Sequence, residues 1–375
     1  MRVLILSCNT GGGHNSCAAA IQEAFADRKD TCDIADSLQF VSGKLSRFMS
    51  WGHTTMYRHI PKLFNFGYGF AEKHPGMLQD DAAVYKLLTS GTEQLRDYLR
   101  QGNYDTVICT HVFSGLLLSA MLREYPMALQ TAFVATDYTC SPGAAASNLD
   151  VYFIPSAVLE KEFIDSGVPK EKLVASGMPI SNRFYEARNT AKAKAACGIA
   201  PEHPHLLMMC GSMGCGPMKE LTALLSQRLS HSSEISIVCG TNEKLYETLS
   251  QDHAEKSNIH ILGFVKNMPE LMDSADLYLT KPGGLSTSEA FAKKLPMVFI
   301  DAVAGCEEYN LRHFVNMGAA VTASTVWELT ELCLQLLEDT DRRNAMVSAM
   351  SVQDHKNAAE CICSVMHNRR GWEQL

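Results

Sequence analysis

One segment, Gly263 to Asn310, constrains the fold of this chain most: GFVKNMPELMDSADLYLTKPGGLSTSEAFAKKLPMVFIDAVAGCEEYN. A short strand, His260 to Gly263, leads into an amphipathic helix ending at Ala275, and the apolar strand DLYLT follows. Next comes the glycine loop Lys281-Pro282-Gly283-Gly284, then a helix carrying Ser286, Thr287, Ser288 and Glu289 in its opening turns. A glycine loop that feeds a helix start exposes unpaired backbone N–H groups at the positive end of a helix dipole, and that setting favours phosphate. Glu289 falls within two turns of that site, in reach of a ribose diol. Packing alone would be met by small apolar residues. Two adjacent glycines, three hydroxyls and a carboxylate point instead to a nucleotide diphosphate, with an ordinary strand-loop-helix of an α/β sheet as the plainer alternative.

The rest of the chain repeats the pattern. VLILS, TVICTH, TAFVATD, VYFIP and KLVASG alternate with helical stretches in the first half, and LLMMCGS, ISIVCG, IHILGFV, LYLTK and MVFID do so in the second. Such alternation predicts βαβ units on parallel sheets, an α/β fold. Each half opens with a strand that ends in a glycine loop, SCNTGGGH in one and CGSMGCGP in the other. Two Rossmann-like halves would place a ligand cleft between them, joined through the polar stretch Arg183 to His205. The 375 residues suffice for two such domains.

Composition narrows the function. No apolar run approaches the roughly 20 residues that span a bilayer, and Val3 to Leu6 is too short for a signal-peptide core, so a cytoplasmic protein is expected. The net charge of −8 argues against general nucleic-acid binding. The 13 cysteines are scattered through apolar patterns, as small core residues of a reducing compartment. Cys361 and Cys363 have no second pair at metal-ligand spacing, so no zinc site is expected.

Three residues of the first half are candidates for chemistry. His14 follows three glycines and begins a helix, where the dipole disfavours imidazolium and leaves a neutral ring able to accept a proton. Asp137, at the end of FVATDY, is placed to orient His14 or to meet an acceptor. His111, at the end of TVICTH, faces the same crevice on this topology, with capping of the following segment as the alternative. From Phe40 to Phe70 eight aromatic residues are interleaved with Lys44, Arg47, Arg58 and Lys62 and no acidic residue. In an acidic protein that pattern fits attraction to an anionic membrane surface, or else an aromatic helix packed on its own domain.

The segment from Gly263 to Asn310 resembles the donor-binding half of the GT-B glycosyltransferases, in particular the family of MurG and the galactolipid and glucolipid synthases that use diacylglycerol. RVLILSCNTGGGHNSCAAAIQEAF looks like the first strand, glycine loop and first helix of the same family, and THVFSG, TDY and SGMPI occur in its order. The resemblance covers nearly the whole chain and implies a GT-B fold: an acceptor and membrane-binding domain over 1–185, a UDP-sugar domain over 186–345, and a helical tail, 346–375, that crosses back to the first domain. It implies transfer of a hexose or N-acetylhexosamine from a UDP-sugar to a lipid acceptor, with His14 as base and Gly12, Gly13 and His111 on the acceptor side. Gly211, Ser212, Met213 and Gly214 would lie beneath the diphosphate and sugar, where backbone amides stabilise the leaving UDP. Val265 would meet uracil through its backbone, Ser286 and Thr287 the phosphates, and Glu289 the ribose, with Lys281 as the fixed cation. The resemblance offers no DxD triplet of the kind that GT-A enzymes use to hold a metal, so no metal or other cofactor is expected. Attachment to the inner face of the cell membrane follows from the lipid acceptor.

The chain departs from the family at one place. Where the family reads GQExxN, this sequence has Gly305-Cys306-Glu307-Glu308-Tyr309-Asn310. Glu307 and Asn310 match the element that touches the sugar hydroxyls, but Cys306 replaces the glutamine, which leaves the sugar open. A UDP-N-acetylglucosamine 2-epimerase and a nucleotide-sugar sensor without turnover are the alternatives. The first needs several carboxylates around the sugar, and the second has no need of His14.

Overall fold

A computed structural model describes residues 1–9, 12–41, 82–186, 188–300, 305–352 and 357–372, apart from the side chains of 370–372. The aromatic and basic segment, Phe40 to Phe70, lies outside the described residues from residue 42 onward. The chain forms two compact units. The first is Met1–Asn182 with Ala304–Cys306 and Lys356–Leu375, the second Arg183–Val303 with Glu307–His355.

In the first unit the order is β1 (Arg2–Ser7), α1 (Gly12–Asp27), β2 (Thr31–Asp36), α2 (Leu38–Val41), α3 (Ala83–Leu88), α4 (Thr92–Gly102), β3 (Thr106–Cys109), α5 (Val112–Glu124), β4 (Gln130–Val134), β5 (Val151–Ile154), α6 (Glu160–Asp165) and β6 (Leu173–Ala175). The second runs α7 (Thr190–Cys197), β7 (His205–Met209), α8 (Met218–Arg228), β8 (Glu234–Val238), α9 (Glu243–Asp252), β9 (Ile259–Leu262), α10 (Met268–Ser274), β10 (Leu277–Thr280), α11 (Gly284–Ala292), β11 (Met297–Phe299), α12 (Gly305–Met317), β12 (Ala320–Thr322), α13 (Val326–Glu338) and α14 (Thr340–Ser351). The last helix, α15 (Ala358–Trp372), belongs to the first unit again.

Each unit is built on a six-stranded sheet, ordered β2-β1-β3-β4-β5-β6 in the first and β12-β11-β10-β7-β8-β9 in the second. Every strand pair is parallel. Helices cover both faces of such a sheet, so its strands read as unbroken apolar runs; Val3 to Leu6 are all fully buried. These are two Rossmann-like domains, as the alternation of strands and helices predicts.

The strand orders fix where ligands bind. In the first sheet the chain moves outward from β1 to β2 and then returns to β3 on the other side, and in the second it moves from β7 through β8 to β9 before returning to β10. Loops at the carboxyl ends of the two strands that flank such a reversal diverge and leave a crevice. In the first unit those are the loop after β1, before His14, and the loop after β3, with His111. In the second they are the loops at Gly211 and Lys281.

The first core is closed by the end of the chain. Ala359, Ile362, Cys363 and Met366 of α15 join Ala18, Ile21, Ala24 and Phe25 of α1 in one buried cluster under β1 and β3–β5. In the second unit α7 is held against the loop before β10 by Lys194, which pairs with Asp276 at 3.1 Å and donates to the His203 carbonyl at 2.7 Å. A capping box starts α13: the Thr325 hydroxyl accepts the Glu328 N–H at 3.1 Å, and the Glu328 carboxylate accepts the Thr325 N–H at 3.1 Å.

Candidate active site

In the second unit the loop after β7 turns through three positive-φ glycines, Gly211, Gly214 and Gly216. Two of them are required by close approaches. A Cβ on Gly211 would lie 2.6 Å from Lys281 Cε, and one on Gly214 would lie 2.4 Å from the Cys239 carbonyl oxygen. The loop after β8 braces this turn from the side: Thr241 N–H donates to the Ser212 carbonyl at 2.9 Å and the Asn242 side chain to the Gly214 carbonyl at 3.1 Å. Ser212 is exposed and Met213 half-buried at the tip, where a ligand has access to their backbone.

Across the strand reversal, Lys281 lies over Gly211 and pairs with Glu307. Its Nζ would also come within 3.4 Å of a Cβ on Gly283, which places the ammonium at the start of α11. Gly283 caps that helix without any side-chain bond, so the opening N–H groups of α11 have no side-chain acceptor. Gly211, Lys281, Gly283, Gly284 and Glu307 are thus brought together around one helix start, with the Ser286 hydroxyl at its edge. An ammonium and a helix N-terminus at one point form an anion site.

Several residues take places other than the expected ones. Thr287 is fully buried and its hydroxyl donates to the Gly283 carbonyl at 2.8 Å, so it is spent inside its own helix instead of on a phosphate. Ser288 does the same toward Gly284 at 2.7 Å. Asn310 is fully buried behind the loop and donates to the Pro282 carbonyl at 3.0 Å, a bond that shapes the loop. Glu307 reaches the site through Lys281.

Glu289 behaves differently. Its side chain keeps some surface, but protein atoms surround the carboxyl, and this burial pushes its pKa up from 4.5 to about 8. No hydrogen bond or ion pair of this carboxyl occurs among the described residues. The residue is half-buried and keeps accessible surface, so the hydroxyl groups of a ligand can still reach it. At the end of β9, Val265 is half-buried, next to Phe264, which is 66% exposed. An exposed aromatic ring beside accessible backbone offers a base both a stacking face and hydrogen bonds.

In the first unit His14 Nδ1 lies 3.0 Å from the Thr110 carbonyl and 2.9 Å from the Thr136 hydroxyl. Donation from Nδ1–H to the carbonyl leaves the lone pair on Nε2, the form a general base needs. Thr136, the neighbour of Asp137, is thus one of the groups that orient the ring, and Asp137 itself is half-buried. His111 caps α5 by accepting the Phe113 N–H at 3.1 Å, and its ring meets that of His14 edge-on at 4.7 Å. Capping and proximity to His14 are therefore both true of His111. Among the described residues nothing lies within 4 Å of a Cβ built on Gly13, and Gly12 is exposed. Below it, Ser7 donates to Asn15 at 2.7 Å, Asn15 to Asn9 at 2.7 Å and Asn9 to Asp36 at 3.1 Å, a chain that fixes the first turn of α1 on the sheet.

Comparison with known proteins gives the family. Residues 14–180 match the monogalactosyldiacylglycerol (MGDG) synthase family, and residues 218–351 match the glycosyl transferases group 1 family. A processive diacylglycerol beta-glucosyltransferase of Staphylococcus carnosus (strain TM300) is 32% identical over 262 residues, covering 69% of this chain and 66% of that protein. The protein of the same description from Staphylococcus aureus (strain bovine RF122 / ET3-1) is 24% identical over 367 residues, 96% of this chain and 91% of its own. The chain belongs to this family of GT-B glycosyltransferases. In fold, the glycosyltransferase is similar to the crystal structure of Acinetobacter baumannii MurG, with a TM-score of 0.64 at 14% identity over 98% of this chain and 99% of that one.

Reading the sequence missed four features of the two sets of candidate residues, one in each unit. Gly240, Thr241 and Asn242 had a visible signal, since a glycine closes the strand ISIVCG as it does at the other two loops. Phe264 lies inside the segment GFV and stands out only once its exposure is known. Thr110 and Thr136 sit at the ends of TVICT and FVAT, and nothing in one sequence shows that both reach the same nitrogen of His14.

Proposed function

We propose that this glycosyltransferase moves a sugar from a UDP-sugar to a membrane lipid acceptor such as diacylglycerol, inverting the anomeric centre without a metal or other cofactor. The observation that carries the reading is the start of α11: uncapped amides, the Lys281 ammonium and the Gly211 turn meet at one point, with the unpartnered Glu289 carboxyl further along the same helix. The diphosphate rests on the amides and Lys281, the ribose hydroxyls bond Glu289, and the uracil lies at Phe264 and Val265. His14 Nε2 takes the proton of the acceptor hydroxyl as its oxygen attacks the anomeric carbon. The bond to the diphosphate then breaks, and the charge that develops on the leaving oxygen falls on the helix start and Lys281. Because Lys281 is also paired with Glu307, the helix-start amides carry much of that charge, with the ammonium as a hydrogen-bond donor held in place by its carboxylate.

The acceptor reading is supported by the names of the two staphylococcal relatives and by the aromatic and basic composition of residues 40–70. It places the protein on the inner face of the cell membrane; no helix among the described residues is long and apolar enough to cross it. The test is incubation with a panel of UDP-sugars and mixed lipid vesicles, followed by chromatography of lipids and nucleotides. A glycolipid product with release of UDP is expected. Epimerised UDP-sugar without lipid product, or UDP-sugar binding with no turnover, would replace this reading with an epimerase or a sensor.

A further inference from the structure

Far from these loops, α15 brings a second set of reactive groups together. We propose that Asp30, Cys363 and His367 form a transition-metal site, suited to zinc, that fastens α15 to the corner between α1 and β2. One donor atom from each residue lies within 4.8 Å of the others. Cys363 and His367 are one helical turn apart and share a face of α15, and Asp30 sits in the turn that follows α1.

The orientation of His367 carries the argument. Its Nδ1 donates to the Cys363 carbonyl at 2.8 Å, which puts the lone pair on Nε2. Metal-bound histidines are held in this way, with the second ring nitrogen donating to a carbonyl. Nε2 faces Asp30 Oδ2 at 2.9 Å, yet the two are not aligned as a hydrogen bond, and Oδ2 is buried without any hydrogen-bond partner. Oδ2 therefore needs a positive partner at this point, which a metal ion between Oδ2 and Nε2 supplies and a protonated imidazolium would supply in its place, two cases that the metal titration below separates. Asp30 is more than nine-tenths buried, its other oxygen held by the Met1 amino group at 2.5 Å.

The third donor is the Cys363 thiol, fully buried and 3.7 Å from the Ala24 carbonyl. Binding would release its proton to solvent and leave a thiolate on the metal. Water or the neighbouring Cys32 thiol, which packs against the same core, completes four-coordination. A sulfur, nitrogen and oxygen set of this kind selects zinc over magnesium or calcium. The other charges nearby are Arg28, already paired with Glu360 at 3.1 Å, and Asp33, paired with Arg2 at 3.1 Å. Sequence spacing did not show the site because its donors come from opposite ends of the chain.

The test uses the full chain purified without a histidine tag, stripped with chelator and titrated with cobalt(II) and then zinc(II). About one equivalent of cobalt is expected, with a thiolate-to-metal charge-transfer band and the visible bands of tetrahedral cobalt, both displaced by zinc. Asp30→Asn and His367→Gln, which keep the side-chain shapes, are expected to weaken binding at least about tenfold, and Cys363→Ser to abolish the charge-transfer band. Chelator is expected to lower the melting temperature of the parent and to leave that of His367→Gln unchanged. Absence of the thiolate band in the parent overturns the proposal whatever the variants do. So does a parent that holds no stoichiometric metal, or a Cys363→Ser protein that keeps the band.

Discussion

At the scale of single residues, His14 and Glu289 make opposite demands on their surroundings. In the proposed reaction His14 stays neutral with Nε2 as acceptor, an arrangement that the contacts of Thr110 and Thr136 with Nδ1 favour. His14→Ala is expected to lower turnover by about 10²–10⁴-fold while the UDP-sugar dissociation constant, read by calorimetry, stays nearly constant. Thr136→Val keeps the imidazole but loosens it, so a smaller fall in kcat with unchanged donor KM is expected in the same assay. Glu289 is held neutral by burial until the pH passes about 8. Its pKa in the folded chain lies above the ordinary carboxylate value, so its stabilising contribution is complete below about 4.5 and is lost as pH rises through about 8. Glu289→Gln is therefore expected to raise the melting temperature of the ligand-free protein at pH above 8 and to change little at acid pH. Glu289→Ala should weaken UDP binding by about 1–3 kcal/mol, read by calorimetry, because the ribose would lose its hydrogen bonds.

At the scale of elements, the donor loops work because two turns lock into one another. Gly240 has φ +59°, and a Cβ there would lie 2.2 Å from the Ser212 carbonyl oxygen, a backbone atom that cannot step aside. Gly240→Ala is expected to cost about 1–3 kcal/mol in chemical denaturation and to raise the donor KM, since the turn at Gly211 to Gly214 would shift. The strands, the helices between them and both glycine loops were legible in the sequence, because apolar runs and glycine punctuation are local signals. So were Lys281, Gly283 and Gly284, which stand where a strand meets a helix. What local signals did not carry was the direction of each side chain. Thr287 and Asn310 are polar residues in a nucleotide-site motif, and either could have faced the ligand; helix geometry turns the first onto its own carbonyls and burial puts the second behind the loop. The partnership of Thr136 with His14 joins the ends of two strands and depends on sheet order, which one sequence does not state.

At the scale of the whole molecule, charge and burial set how the protein responds to its surroundings. Replacing Arg47, Arg58 and Lys62 with glutamate is expected to abolish sedimentation with anionic vesicles, each basic residue contributing about 1 kcal/mol at such a surface, and to leave UDP affinity unchanged. Burial holds His205 and His313 in the second unit at a pKa of about 4. A histidine with a depressed folded pKa gives stability that is present above about 6.5 and lost as pH falls toward 4, so denaturation midpoints should drop over that window, less steeply in His205→Gln. The two units also differ in when they can be finished. The first lacks Ala359, Ile362, Cys363 and Met366 until the last stretch of chain has been made. At about 5–20 residues per second, a ribosome takes roughly ten to forty seconds to synthesise the second unit while the first waits incomplete. The second unit therefore has its whole core in hand before α15 is made, whereas the first, although begun earlier, is complete only once α15 has been added.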